Sequence, residues 1–297
     1  MYTEGFKISV LLFTLFLVAG VYGQNAAEEY ENTKASDSSY ISVEISFIND
    51  AIFMGRKDSI SAPYLYPSIT YHNKSGFYAS GSLSYLTRSE EARVDLFLVT
   101  AGFDFTAKKL EGDISATKYF FNDDSYNVIS EVVADITVLL KYDFNIINLG
   151  LGSSIYFSSD SSSDFFLAPE ISHDFISKDQ KFQISPTAGV YLGSQNFYEQ
   201  YYINNRFGNG RGQGQGQGSG DNTQGDTNIE MQEGKEFGLM AIEFSLPMWY
   251  SYKSMTLSFL PAYVLAQNPA TLTIDGVVFK EDLENTFYWM IGVGYRF

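Results

Sequence analysis

Acidic side chains recur at alternate positions along much of this chain. Glu44, Asp104, Asp113, Glu131, Asp135, Glu170 and Glu243 each belong to the polar set of a run in which polar and apolar residues take turns, and Lys141 and Arg296 share that pattern. If those sets line a water-filled passage, an excess of carboxylates concentrates cations and repels anions. If the interior is enclosed, the same groups pair with Lys141, Arg296 and neighbouring hydrogen-bond donors as a filling. Both chemistries remain open on spacing alone.

Catalytic chemistry has less to work with. The two histidines are His72, in YHNKSG, and His173, in ISHDF, and each has a serine close by. Activation of a nucleophile needs such neighbours, yet both histidines sit beside short turns, so no catalytic residue is assigned and a hydrolase is a distant alternative. The segment FGNGRGQGQGQGSGDNTQGD is glycine-rich but lacks the Lys-Ser/Thr of a phosphate-binding loop. It reads as a flexible linker, flanked by aromatics in YEQYYINNRF that could meet a partner. The acidic stretches SSDSSSD (158–164) and Asn122-Asp123-Asp124 lack calcium-loop spacing and read as solvated turns. With no cysteine there is neither disulfide nor thiolate ligand; no metal or cofactor is expected. A net charge of -16 argues against nucleic acid as a partner, since such binding needs basic patches.

The elements that position these residues follow from periodicity. Residues 1–23 read as a secretory signal: Lys7, an apolar run from Ile8 to Val21, then Val21-Tyr22-Gly23 at cleavage spacing. Residues 24–39 form an acidic, disordered segment. From Tyr40 to Phe297 the pattern predicts an all-β domain of about twelve antiparallel strands, at roughly 40–54, 64–72, 76–87, 92–106, 112–121, 129–142, 146–157, 164–175, 181–193, 236–250, 255–266 and 286–297. Connections alternate between short turns and longer loops, the longest being the low-complexity loop at 194–235. Alternating loop lengths and an even strand count are features of outer-membrane barrels. Five prolines, Pro67, Pro169, Pro186, Pro247 and Pro261, fall inside these strands. A closed barrel has no edge to hide a missing N–H, so bulges or strand ends are expected there.

Alternation does not by itself say which face is inside, since a soluble barrel has the same two faces. The abundance of Tyr (22) and Phe (25), the export signal and the final strand point to lipid. In NTFYWMIGVGYRF one face carries Phe287, Trp289, Ile291, Val293, Tyr295 and Phe297, aromatic at both ends and aliphatic between. Phe287 to Phe297 extends about 33 Å, or about 25 Å when tilted, the height of a lipid-facing band.

This tail resembles the C-terminal assembly signature of bacterial outer-membrane β-barrels, with its terminal aromatic, a second aromatic two residues earlier and apolar residues at further steps of two. The resemblance implies a porin-like, transmembrane up-and-down barrel of the bacterial cell outer membrane. It also implies the lipid bilayer and the outer-membrane assembly machinery as partners. The function expected is passive passage of small solutes with a cation preference, lined by Glu44, Glu131, Asp135, Lys141, Glu170, Glu243 and Arg296. The alternative is a lumen-filled barrel acting structurally or through surface loops.

Overall fold

In a computed structural model of the chain, the alternating runs hydrogen-bond to one another in a ring. The structure describes residues 38–57, 61–88, 91–123, 125–159, 163–194, 196–197, 229–232, 237–269, 271–274, 277–280 and 283–297. The signal read at 1–23, nearly all of the acidic segment and most of the Gly/Gln-rich loop lie outside these residues.

The strands are β1 (Tyr40–Ile48), β2 (Tyr64–His72), β3 (Phe77–Leu86), β4 (Arg93–Ala107), β5 (Leu110–Phe121), β6 (Val132–Asp143), β7 (Asn148–Ser158), β8 (Ser163–Ser172), β9 (Phe175–Ile176), β10 (Phe182–Ile184), β11 (Thr187–Gly193), β12 (Ile229–Gln232), β13 (Gly238–Ser245), β14 (Met248–Tyr252), β15 (Met255–Ala266), β16 (Thr271–Ile274), β17 (Val277–Lys280) and β18 (Thr286–Arg296). β8 runs on into β9, β10 into β11 and β13 into β14, so twelve antiparallel staves result. Each pairs with its neighbour in sequence, and β18 returns to β1 from Ser42↔Arg296 to Ile48↔Met290. The backbone N–H of Phe297 adds a bond to the Ile41 carbonyl at 2.9 Å. The chain is a closed up-and-down β-barrel. β12, β16 and β17 form a separate small sheet that joins two of the long loops.

The connections at one end are all short and the longest ones lie at the other, although the β7–β8 connection there has only four residues. Every turn at the short end contains one residue of positive φ: Gly76, Lys108, Asn145, Gln180 or Lys253. Gly76 is the most constrained, because a Cβ there would lie 2.3 Å from the Asp104 carbonyl oxygen.

The prolines are accommodated by lapses in the ladder. Around Pro67 the β2–β3 register passes from Leu65↔Tyr85 to Ser68↔Ser82, and around Pro169 the β8–β11 register passes from Glu170↔Gly189 to Leu167↔Leu192. Pro186 and Pro247 occupy the breaks inside their staves, and Pro261 lies across from the second break. A proline loses its donor but keeps its acceptor. Accordingly, the carbonyls of Pro186, Pro247 and Pro261 accept from the N–H groups of His173, Ser185 and Leu246 at 3.3, 2.9 and 3.0 Å.

The outer face is apolar, with Ile45, Ile69, Val99, Ile114, Ile136, Leu151, Ile155, Leu257, Ile291 and Val293 exposed around the waist. Aromatics ring both ends, among them Tyr71, Phe77, Tyr142, Tyr252, Tyr295 and Phe297 towards the short turns, and Tyr85, Phe97, Phe120, Phe157, Phe165, Tyr263 and Phe287 towards the long loops. A closed ladder inside such a belt pairs backbone groups between neighbouring strands, as crossing hydrocarbon requires. The protein is a membrane-spanning β-barrel, with the lipid bilayer as its surroundings.

Two predicted boundaries are corrected. The first strand was expected to reach residue 54, but β1 ends at Ile48 and the chain then turns into the barrel. The strand expected from 129 begins at Val132 and is bulged between Val132 and Ala134. The extra residue shifts the alternation, so Val132, which an unbroken alternation with Glu131 and Asp135 inward would set towards lipid, is 1% exposed inside.

Candidate functional site

The interior divides into two zones stacked along the barrel axis. Towards the long loops every stave contributes an apolar inward side chain: Ile48, Tyr64, Leu86, Leu96, Tyr119, Val132, Tyr156, Phe166, Tyr191, Met240, Val264 and Tyr288 are all buried. The β1–β2 connection completes this zone. Ala51, Ile52, Phe53 and Met54 fold inside as part of the same cluster. The Phe53 ring packs against Tyr156, Phe166 and Phe197 at centroid distances of 5.6, 5.7 and 5.1 Å.

The plug has its own local logic. Phe53 and Arg56 exchange two backbone hydrogen bonds of 2.8 Å around Met54-Gly55, whose φ values of 48° and 83° are those of a primed hairpin turn. Arg56 is 1% exposed. Its guanidinium donates from Nη1 to the Met240 carbonyl at 2.9 Å and from Nη2 to the Gln267 and Asn268 carbonyls at 3.0 and 2.7 Å. Charge-assisted bonds of this kind contribute about 1.5–3 kcal/mol each. Asp50 holds the root of the segment, accepting from the N–H groups of Ala51 and Ala62 at 3.0 and 2.9 Å.

Two further buried aspartates fix the loops above. Asp95 accepts from Ser125 Oγ at 2.8 Å, from Arg93 Nε at 2.9 Å and from the Tyr64 hydroxyl. Asp164 accepts from Ser194 Oγ and the N–H groups of Asn196 and Phe197 at 2.6, 2.8 and 2.8 Å. Between the loops, Tyr126 donates to Glu91 at 2.8 Å, and partial burial together with that carboxylate raises its phenol pKa.

Below the plug the interior is polar. Asp135 accepts from Tyr119 at 2.9 Å and from Thr137 at 2.6 Å. Lys141 forms an ion pair with Asp174 at 3.3 Å; Asp174 also accepts from Asn148 at 2.8 Å and Ser185 at 2.6 Å. Glu243 accepts from Tyr288 at 2.9 Å. At the short-turn mouth the Arg296 guanidinium lies 4.0 Å from the Tyr40 ring centroid. Tyr40 stacks on His72 at 4.9 Å, and His72 on Tyr78 at 5.2 Å.

The structure therefore places Glu44, Asp135, Lys141 and Glu243 inside, each at most 5% exposed. Glu170 also faces inward, opposite Gly150 on β7 and Gly189 on β11, and Arg296 stands at the lower mouth. Glu131 departs from its expected place. It precedes β6, beyond the bulge, and accepts from Ser159 at 3.2 Å among the long loops. Phe287, Trp289, Ile291, Val293, Tyr295 and Phe297 share the outward face of β18. Sequence reading did not assign Asp50, Asp95, Asp164, Asp174 or Arg56 to the interior. The one available signal was a charged residue set into an apolar run, as Asp95 is between Val94 and Leu96.

His72 is pressed between two tyrosine rings. His173 meets the Ile146 carbonyl through Nδ1 and packs edge-on against Phe175 at 4.3 Å. Both are positions in which an imidazole serves as a packing piece. Among the described residues, no three His, Asp or Glu side chains converge as a metal-holding set.

No protein-family model matches the sequence, and no curated protein matches it. Solved structures with a related strand course include the NanC porin, at 12% identity over 86% of this chain and 98% of the other, TM-score 0.46. The KdgM porin matches at 11% identity over 86% and 99%, TM-score 0.45, and LpxR from Salmonella typhimurium at 9% over 86% and 99%, TM-score 0.44. At these scores the likeness is no basis for a substrate or an activity.

Proposed function

We propose that this porin-like barrel is a gated channel for small solutes with a preference for cations, held shut in this conformation by residues 49–57. The observation that carries the proposal is the division of the interior. The apolar zone lined by the staves is filled by a connection, which can move without breaking the ladder, whereas the strands below it present Glu44, Asp135, Glu170 and Glu243 inward. Burying carboxylates in a permanently sealed core is costly; a passage that admits water at times gives them a reason to be there.

The test is single-channel recording in planar bilayers. The intact barrel is expected to be mostly silent. Replacing residues 50–57 by a Gly/Ser linker should produce steady, cation-selective steps, and neutralising Asp135 and Glu170 should weaken that selectivity. A folded, plug-replaced barrel that stays silent overturns the proposal and favours a lumen-filled barrel acting through its loops. That second function draws support from Asp50, Asp95 and Asp164, which hold the loop bases in fixed positions.

The outward face of β18 supports a second part of the proposal: Phe297 and the alternate residues before it are read by the outer-membrane assembly machinery. No catalytic step is assigned.

A further inference from the structure

Glu44 and Glu243 each have an enclosed oxygen without a hydrogen-bond partner among the described residues; Glu243 is held by Tyr288 through its other oxygen, whereas Glu44 lies among unpartnered hydroxyls. Glu44 is 3% exposed, and the unpartnered oxygen is its Oε2 atom. Lys141 is engaged by Asp174, and Arg296 is stacked on Tyr40.

The surroundings are small and oxygen-rich. Across β2, β1, β18 and β15 the register sets Ser68, Glu44, Gly294 and Thr256 in one row, with Ser42 two residues before Glu44 on the same inward face. Ser42 Oγ, Ser68 Oγ and Thr256 Oγ1 are likewise enclosed without a hydrogen-bond partner among the described residues. The two glycines make room. At Gly294 the nearest atom to a built Cβ is the Val43 carbonyl oxygen at 3.9 Å. At Gly292 a Cβ would lie 2.5 Å from Ser258 Oγ and 3.1 Å from Glu44 Oε1, so both oxygens lean into the space the missing side chain leaves.

A carboxylate enclosed in this way is neutralised by a proton or balanced by a bound cation, and the hydroxyls around Glu44 favour the cation. Hydroxyls and a single carboxylate offer hard oxygen ligands and one negative charge. Divalent ions such as calcium draw on several carboxylate or carbonyl oxygens at once, and no such convergence occurs among the described residues. We infer that Glu44, with the hydroxyls of Ser42, Ser68, Thr256 and Ser258 around it, binds a single monovalent cation of the size of Na⁺ or K⁺ inside the lower half of the barrel. The site is built from strand residues below the plug, so it does not depend on the plug moving.

A ligand that binds only the folded state raises its unfolding temperature as the ligand concentration rises. Thermal unfolding of the full barrel in a non-ionic detergent is therefore compared in NaCl, in KCl and in N-methylglucamine chloride at equal ionic strength, the last cation being too large to enter. The unfolding temperature of the wild type should be higher in Na⁺ or K⁺ than in N-methylglucamine, and the difference should vanish in Glu44→Gln. Should Glu44→Gln fail to fold, Thr256→Val keeps the carboxylate and removes one ligand, and should shrink the difference. A wild type indifferent to the cation overturns the inference, since a proton would then suffice to neutralise Glu44. A difference that survives in Glu44→Gln, or is unchanged in Thr256→Val, overturns it too. Because the measurement needs no current, it can fail while the channel proposal stands, and the reverse.

Discussion

Asp164 shows what one side chain contributes at the long-loop end. It is 1% exposed, and its two oxygens take up a hydroxyl and two backbone N–H groups from the chain just after β11. Asp164→Ala leaves those donors buried without an acceptor, at about 1–3 kcal/mol for each group that water cannot reach. The expected outcome is a lower urea midpoint for the refolded barrel and faster proteolytic cutting after Ser194, with the strand signal in circular dichroism retained; an unchanged midpoint would contradict this account. Lys141 and Asp174 form the corresponding pair in the lower half. Of these residues only Lys141 was legible as an interior group, because it falls on the polar phase of an alternating run. Asp164 occupies a comparable phase in its own strand but was read as part of an acidic surface turn. Asp174 shares that phase in the strand expected at 164–175, but the residues around it drew notice only for His173 in ISHDF.

The same limit operates on elements. Strand existence and facing were readable because an inward–outward alternation is a local, period-two property. The ends were not, since they depend on neighbours. β1 stops at Ile48, and after Asn49-Asp50 the apolar residues Ala51 to Met54 fold inside, where Phe53 packs against Tyr156, Phe166 and Phe197. The bulge at Val132 is likewise settled by the pairing with β7. Turns can be tested directly. Gly76 has φ +95°, where a Cβ both strains the backbone and meets the Asp104 carbonyl. Gly76→Ala should lower stability by more than about 1 kcal/mol, read as a drop in urea midpoint. The same change at Gly81, whose built Cβ meets nothing within 4 Å, should have little effect. Equal effects at the two sites would show that the turn geometry is not limiting.

For the molecule as a whole, the seam between β1 and β18 is the step that turns a sheet into a barrel. The Phe297 side chain faces outward, at 73% exposure, while its backbone N–H bonds Ile41. Replacing the side chain leaves the seam's hydrogen bonds intact. Phe297→Ala is therefore expected to refold in detergent with near-wild-type stability while its accumulation in outer membranes of growing cells falls severalfold. Loss of refolding in detergent would instead assign Phe297 a role in the barrel itself, and normal accumulation would remove it from the assembly signal.

The sequence by itself determined that the chain closes into a lipid-facing barrel and, away from bulges such as the one at Val132, which strand residues point inward, because both follow from alternation, loop lengths and the aromatic tail of NTFYWMIGVGYRF. Only the tertiary structure decided what the inside contains. Whether Glu44 faces water, a base or a pocket of hydroxyls depends on strands more than two hundred residues away that register places beside it. Whether the barrel is open at its long-loop end depends on a short connection whose apolar residues have no periodicity to betray their destination. Side-chain packing across the ring is non-local, and no single run of sequence encodes it.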